Sequence, residues 1–252
     1  MIDSQHIREV MDTYLRSFAE YDDPVFALKV RHTWHTAHTA EKIAVMIGCD
    51  EEDIQLAYAI GVLHDIGRFE EYRMHGEYNS LRYDHAKAGA EFLASGKLRE
   101  FIAEEAYDTI ILNAVNCHSM LALPAMEGKE KLHAMIIRDA DKTDNLRIRA
   151  EEDMDLTLPV KLRGTMEPLT VSASVLDAVR HNRSVYTRDR VTAGDHLVCV
   201  MAFVYGLHLQ ETKKYILEKG YIEAIGRRYG KDSPVMEEIT ERITQYLKEG
   251  TV

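Results

Sequence analysis

The sequence predicts an all-α fold, and three observations carry that expectation. Apolar residues recur at three- and four-residue intervals through most segments, the spacing that lines one face of a helix. The breaks between segments fall at residues that start or stop helices: Asp22-Asp23-Pro24, Glu51-Glu52-Asp53, Pro159, Gly164 and Pro168. No internal repeat or low-complexity tract interrupts the pattern. A chain of 252 residues is long enough for one sizeable core with an appendage. One all-helical domain over 1–252, ending in a helical extension over 151–252, is the simplest account.

Residues 4–20 read as an amphipathic helix that closes before Asp22-Asp23-Pro24. In the next helix, expected over 25–47, residues 32, 36, 39 and 43 share a stripe that joins His32 to Ile43. A third, over 51–65, opens on Glu51-Glu52-Asp53, where the helix dipole favours negative charge. Its apolar run Tyr58-Ala59-Ile60-Gly61-Val62-Leu63 delivers His64 and Asp65. Gly67 is expected to bend the chain away there, leaving the His-Asp face open. Residues 69–84, rich in Tyr, Arg, Gly and Asn, read as an irregular loop, either a substrate lid or a plain connector. Helices are expected over 85–96, 98–118 and 128–150, with a loop or short hairpin over 151–169. Two more apolar helices over 171–181 and 193–209 precede surface amphipathic helices over 211–225 and 233–248. Asp195, beside His196, reads as an N-terminal cap or first-turn acid, because no partner cluster lies near it in sequence.

Adjacent His and Asp can hold one divalent metal through a ring nitrogen and a carboxylate oxygen. Four further candidates sit in segments with helical apolar spacing: His32, His85, His118 and Asp141. A lone histidine on a core helix is more often a hydrogen-bonded structural residue. Several polar clusters on apolar helices are costly together unless the groups are paired or metal-bound. Four His and two Asp suffice for two adjacent metal sites, with Asp65 bridging. His32, His35 and His38 recur every three residues, so the first ligand is ambiguous. The residues alone leave His32 and His35 open as that ligand.

Lys29-x-x-His32-Thr33, Leu63-His64-Asp65-Ile66-Gly67-Arg68-Phe69, Asp84-His85-Ala86, His118-Ser119 and Arg138-Asp139-Ala140-Asp141-Lys142 together resemble the HD-domain superfamily of metal-dependent phosphohydrolases, specifically its HDIG-bearing members. The resemblance covers residues 24–150. It implies an HD-domain helical bundle in which His32, His64, Asp65 and Asp141 hold one metal. His85 and His118 take a second, with Asp65 shared. Iron or manganese is expected first, with cobalt, nickel, zinc or magnesium admissible. The implied reaction is attack of a metal-held hydroxide on phosphorus, with Asp65, Lys142 and Arg68 as the catalytic residues. Lys29, Arg68, Arg138 and Lys142 are the candidate phosphate contacts, Arg73 a weaker one, and Asp84 and Asp139 are candidates to orient ligand imidazoles. An HD-fold di-iron oxygenase and a non-catalytic nucleotide sensor are the rival readings.

Composition narrows the partners. The chain carries 31 Lys and Arg against 42 Asp and Glu, a formal charge of −11, which argues against a nucleic-acid polymer. A small phosphorylated substrate, such as a nucleotide, stays compatible because divalent metals reverse the local sign. Cys49, Cys117 and Cys199 are far apart and read as free thiols in a reducing compartment. With no apolar leader and no run of transmembrane length, a cytoplasmic protein without membrane contact is expected. Self-association into a homodimer is left open.

Overall fold

The computed structural model describes residues 2–78, 83–231 and 233–250, and these are helices, turns and loops with no strand among them. They divide into two compact units, Met1–Asp141 and Lys142–Val252.

In the first unit, α1 (Ser4–Arg16) starts at Asp3, whose carboxylate accepts from the Gln5 and His6 amides, and buries Ile7, Met11 and Leu15. α2 (Pro24–Met46) starts at Asp23 with proline in its first turn, where a missing N–H costs nothing. α3 (Glu51–Leu63) packs along α2 so closely that a Cβ on Gly61 would lie 2.5 Å from the Ala37 Cα. That close approach brings the end of α3 against the middle of α2, where His32 sits.

The chain turns at His64-Asp65 and re-enters a helix at once, as α4 (Ile66–His75). This corrects two expectations. Residues 69–75 are helical rather than loop, and Gly67 is not a bend. Gly67 lies in the first turn of α4, where a Cβ would fall 2.3 Å from the His85 carbonyl oxygen and 2.8 Å from the Gly89 nitrogen. Its role is to let α4 touch α5 (His85–Phe92). Gly76, at φ 68°, ends α4, and residues 79–82 of the expected lid lie outside the described residues.

The helix expected over 98–118 is also broken. α6 (Leu98–Phe101) stops at Ile102, whose backbone is extended (φ −137°, ψ 121°) and whose side chain is buried; α7 (Asp108–Cys117) follows a short 3₁₀ turn. Glu and Ala around the break are good helix formers, so burial of Ile102 overrides local preference. Arg99 braces the break by donating to the Ala103 carbonyl and pairing with Asp108. α8 (Gly128–Glu151) supplies Asp141.

The second unit holds α9 (Ala173–Arg180), α10 (Ala193–Met201), α11 (Gln210–Lys219), α12 (Tyr221–Tyr229) and α13 (Pro234–Glu249). Leu197, Met201, Ile222, Ile239 and Ile243 are among its core residues. The single helix expected over 211–225 is two, because Gly220 adopts a left-handed conformation (φ 64°) between them. Residues 151–169 contain 3₁₀ turns and no hairpin, and the helix expected over 193–209 gives way to a 3₁₀ turn at Ala202. Asp195 is a first-turn acid as read: it completes a capping box with Thr192 and also accepts from Ser172.

Candidate metal centre

The corner between α3 and α4 provides the centre of the site. His64 caps α3, and its Nδ1 lies 2.7 Å from the Gly61 carbonyl oxygen. His118 caps α7 in the same way, Nδ1 2.7 Å from the Val115 oxygen. In both rings Nδ1–H donates to the carbonyl, so the Nε2 lone pair faces inward. His32 comes from mid-α2, with Thr36 Oγ1 one turn on and 3.4 Å from its Nδ1. His85 is the first residue of α5, and Asp141 lies on α8.

These side chains converge in two groups that share Asp65. One is His32, His64, Asp65 and Asp141; the other is Asp65, His85 and His118. Within each group one ligand-type atom per residue lies within 4.8 Å of all the others. The two carboxylate oxygens of Asp65 divide between them. Oδ2 is 3.4 Å from His32 Nε2 and 3.1 Å from His64 Nε2. Oδ1 is 3.5 Å from His85 Nε2 and 3.4 Å from His118 Nε2. Asp141 Oδ1 lies 3.2 Å from His32 Nε2 and 3.8 Å from His64 Nε2, and the Nε2 atoms of His85 and His118 face each other at 3.1 Å.

The donor set fits a divalent cation. Burial pushes the His64 and His85 imidazoles below their ordinary pKa, favouring the neutral form. Burial works to raise the Asp65 carboxyl, but Lys29 and His64 hold it well below the usual carboxylate range. Burial likewise opposes ionisation of Asp141, and His32 and His64 overcome it. The His64 and His85 imidazoles, held toward the neutral form, therefore face ionised oxygens. His64 Nε2 and Asp65 Oδ1 are buried and find no hydrogen-bond partner. Acceptors facing acceptors out of water are unfavourable, and a cation among them removes the conflict.

The other predicted residues fall as follows. His35 and His38 are exposed, and His38 lies 3.4 Å from Glu41, so the structure brings His32 and neither neighbour to the cluster. Lys29 pairs with Asp65 Oδ2. Arg68 Nε is 3.7 Å from Asp65 Oδ1, and its Nη1 donates to Glu71 at 2.7 Å. Arg73 pairs with Glu70 at the surface. Asp84 caps α5 through the Lys87 amide rather than orienting an imidazole, and Asp139 is fully buried.

Arg138 is not placed as a phosphate contact. It is 2 % exposed, and its guanidinium donates to the carbonyl oxygens of Cys117 (3.0 Å), His118 (3.2 Å), Met120 and Leu121 (3.2 Å). Those carbonyls end α7, so Arg138 positions His118. Lys142 belongs to the second unit, where an added Cβ on Gly206 would meet its Cε at 3.5 Å.

Two residues near the centre escaped the sequence reading. Glu71 is fully buried and fixes Arg68; the Arg68-x-x-Glu71 spacing on a helix was a usable signal. Tyr78 stacks near Tyr72, with ring centroids 4.8 Å apart, and its buried hydroxyl has no partner. Burial pushes that phenol up, with Tyr72, Asp65 and Glu71 adding to the shift and Arg68 opposing it.

The helical unit gathers four imidazoles and two carboxylates into two groups that could each hold a metal ion. The family profile described as the HD domain matches residues 30–146, a span that contains all six of those side chains. Over those residues the chain is similar to the HD domain, a family whose members are generally metal-dependent hydrolases. No curated protein and no solved structure matches the chain.

Proposed function

We propose that the chain is a phosphohydrolase that cleaves a phosphoester of a nucleotide or another small phosphorylated molecule, using two divalent metal ions. The observation that carries this reading is the division of Asp65, one oxygen toward His32 and His64 and the other toward His85 and His118. His32, His64, Asp65 and Asp141 would hold one ion, and His85 and His118 the other with Asp65. Such ions, iron or manganese first, lower the pKa of water and polarise a phosphoryl oxygen.

The protein's own groups supply the rest. Gly61 and Val115 carbonyls fix the tautomers of His64 and His118, so neither ring has to reorient on binding. Lys29 and Arg68 are the cations nearest the shared carboxylate, and a phosphate entering there gains both as partners. Glu71 keeps the Arg68 guanidinium in place. The formal charge of −11 opposes a polyanion, which favours a substrate small enough for local charge to decide.

The test is phosphate release from a panel of nucleotides and sugar phosphates, under anaerobic conditions with added manganese. Hydrolysis of at least one ester is expected, with Asp65→Asn slower by roughly 10³-fold or more. Absence of hydrolysis across the panel, or oxygen consumption without phosphate release in a parallel aerobic run with iron, overturns the reading.

A further inference from the structure

The second unit contains a buried arginine with nothing to neutralise it. Arg149, near the end of α8, is 8 % exposed, and its Nε is sealed from water with no hydrogen-bond partner. Among the described residues it has no carboxylate within ion-pair distance. Two positions earlier, Arg147 is as deeply buried, yet pairs with Asp144 at 2.5 Å, Glu151 at 3.2 Å and Glu152 at 3.6 Å. The same helix thus neutralises one arginine and leaves the other bare. A buried charge without a counter-ion is among the costliest things a fold can hold.

The groups around Arg149 add positive charge. Arg190, half-buried, acts on Arg149, and both act on His196, which α10 carries one turn before Cys199. Lys161 adds a more exposed positive charge. The neighbours that could ionise to anions do not serve. Burial keeps the Cys199 thiol and the Tyr229 phenol protonated, and the Tyr229 hydroxyl is itself buried without a partner. Asp195 is the nearby carboxylate, and its oxygens already accept from Ser172 N, Ser172 Oγ, Val191 N and Thr192 N. Two guanidinium groups, an imidazole and a free hydroxyl donor make a setting for an anion with two charges and several acceptor oxygens. Tetrahedral phosphate has that chemistry, and guanidinium groups match it by paired N–H donors.

We propose that the second unit binds a small phosphate-bearing anion at Arg149, with Arg190, His196 and Tyr229 as further contacts. This site is separate from the six side chains of the HD domain in both sequence and residues. It does not depend on the hydrolase reading, since it needs no metal.

The experiment is calorimetric titration of inorganic phosphate into the full chain, stripped of metal by a chelator and held at constant ionic strength with sodium chloride. Stripping removes binding through metal, so a signal that remains belongs to protein groups. Saturable binding is expected for the wild type. Arg149→Met should weaken it by roughly tenfold to a hundredfold, as loss of charge-assisted hydrogen bonds does. Arg190→Gln should weaken it less. In phosphate-free buffer Arg149→Met should melt at the wild-type temperature or above, because it removes an uncompensated charge; added phosphate should then raise the Tm of the wild type alone. If Arg149→Met folds poorly, Arg190→Gln carries the comparison by itself. No saturable binding to the wild type, or binding that both substitutions leave unchanged, overturns the proposal.

Discussion

Asp65 reaches both groups of side chains because of where the chain turns. It is the N-cap of α4 yet makes no side-chain cap bond, so both oxygens face the four imidazoles, with Lys29 also on Oδ2. Metal content measured on protein without a histidine tag tests the proposed division. Wild type should carry two equivalents, His85→Ala should fall toward one, and Asp65→Ala should lose affinity at both; one equivalent unchanged by His85→Ala would sink the two-ion reading. Arg138 makes a different kind of prediction. Replacing it with Met leaves the carbonyl oxygens that end α7 without their donor, at a cost of about 2–4 kcal/mol in urea unfolding, and His118 loses its anchor. Variant and wild-type urea midpoints that coincide would show that Arg138 does not hold α7. At this scale the clustered side chains were legible because each polar group sits in a segment with helical apolar spacing, an arrangement that sequence displays directly. The destination of a long side chain was not. Arg138 stands next to Asp139 and near Asp141 in sequence, but its guanidinium turns to α7, about twenty residues away along the chain. Tyr78 gave no signal, since nothing in sequence says that a tyrosine after a helix folds back toward a carboxylate two turns earlier.

At the scale of elements, the site depends on two close approaches. Gly61 lets α2 and α3 meet, and Gly67 lets α4 meet α5, so the imidazoles at 32, 64 and 85 are brought within reach of one carboxylate. Gly67→Ala places a methyl 2.3 Å from the His85 carbonyl oxygen, which is backbone and cannot swing aside. α5 must shift, at a cost of about 1–3 kcal/mol, and His85 shifts with it. The expected outcome is a lower Tm together with loss of the metal equivalent that His85 supports; a variant with wild-type Tm and metal content would show that the contact is slack. The helices that frame the site were largely legible. α2 and α3 lie within two residues of their expected bounds because Asp23-Pro24 and Asp50-Glu51 are strong start signals. Gly67 was misread because glycine marks both bends and close packing, and only the partner helix separates the two. The breaks at Ile102 and Gly220 were missed for opposite reasons. Ile102 is a core residue within a helix-forming stretch, whereas Gly220 was a visible stop signal passed over inside an amphipathic pattern.

On the scale of the whole molecule, charge sets how stability responds to acid. Among the described residues no helix is long and apolar enough to cross a membrane. In the first unit, His133 is buried against Asp53, with Nε2 3.0 Å from Oδ1, and Lys129 reaches the same oxygen at 2.9 Å. Burial lowers the pKa of His133 against the pull of Asp53; burial also works to raise Asp53, but Lys129 and His133 lower it overall. In the second unit, burial lowers His196 to about 4, with Arg190, Arg149 and Lys161 adding to the shift and Asp195 opposing it. A histidine whose folded pKa lies below its unfolded value of about 6.5 stays neutral while the unfolded chain takes up a proton. The unfolded state then binds more protons, so stability falls as pH falls from about 6.5 toward 4. For Asp53 the depressed pKa gives stability that is present above the unfolded carboxylate value and lost as pH drops through the folded one. Both effects have the same sign, and acid destabilises. His196 is only half-buried, so solvent screening reduces its share to about 1–2 kcal/mol. The measurement is Tm at intervals from pH 7 to pH 4 for wild type and His196→Asn in phosphate-free buffer. The variant should lose less stability than wild type across that window, because its side chain has no proton to gain. Repeating the series with phosphate should shrink the difference, since a bound anion offsets Arg149 and Arg190 and lets His196 accept its proton in the folded state. Parallel curves for the two proteins would mean that the cations around His196 do not govern its protonation.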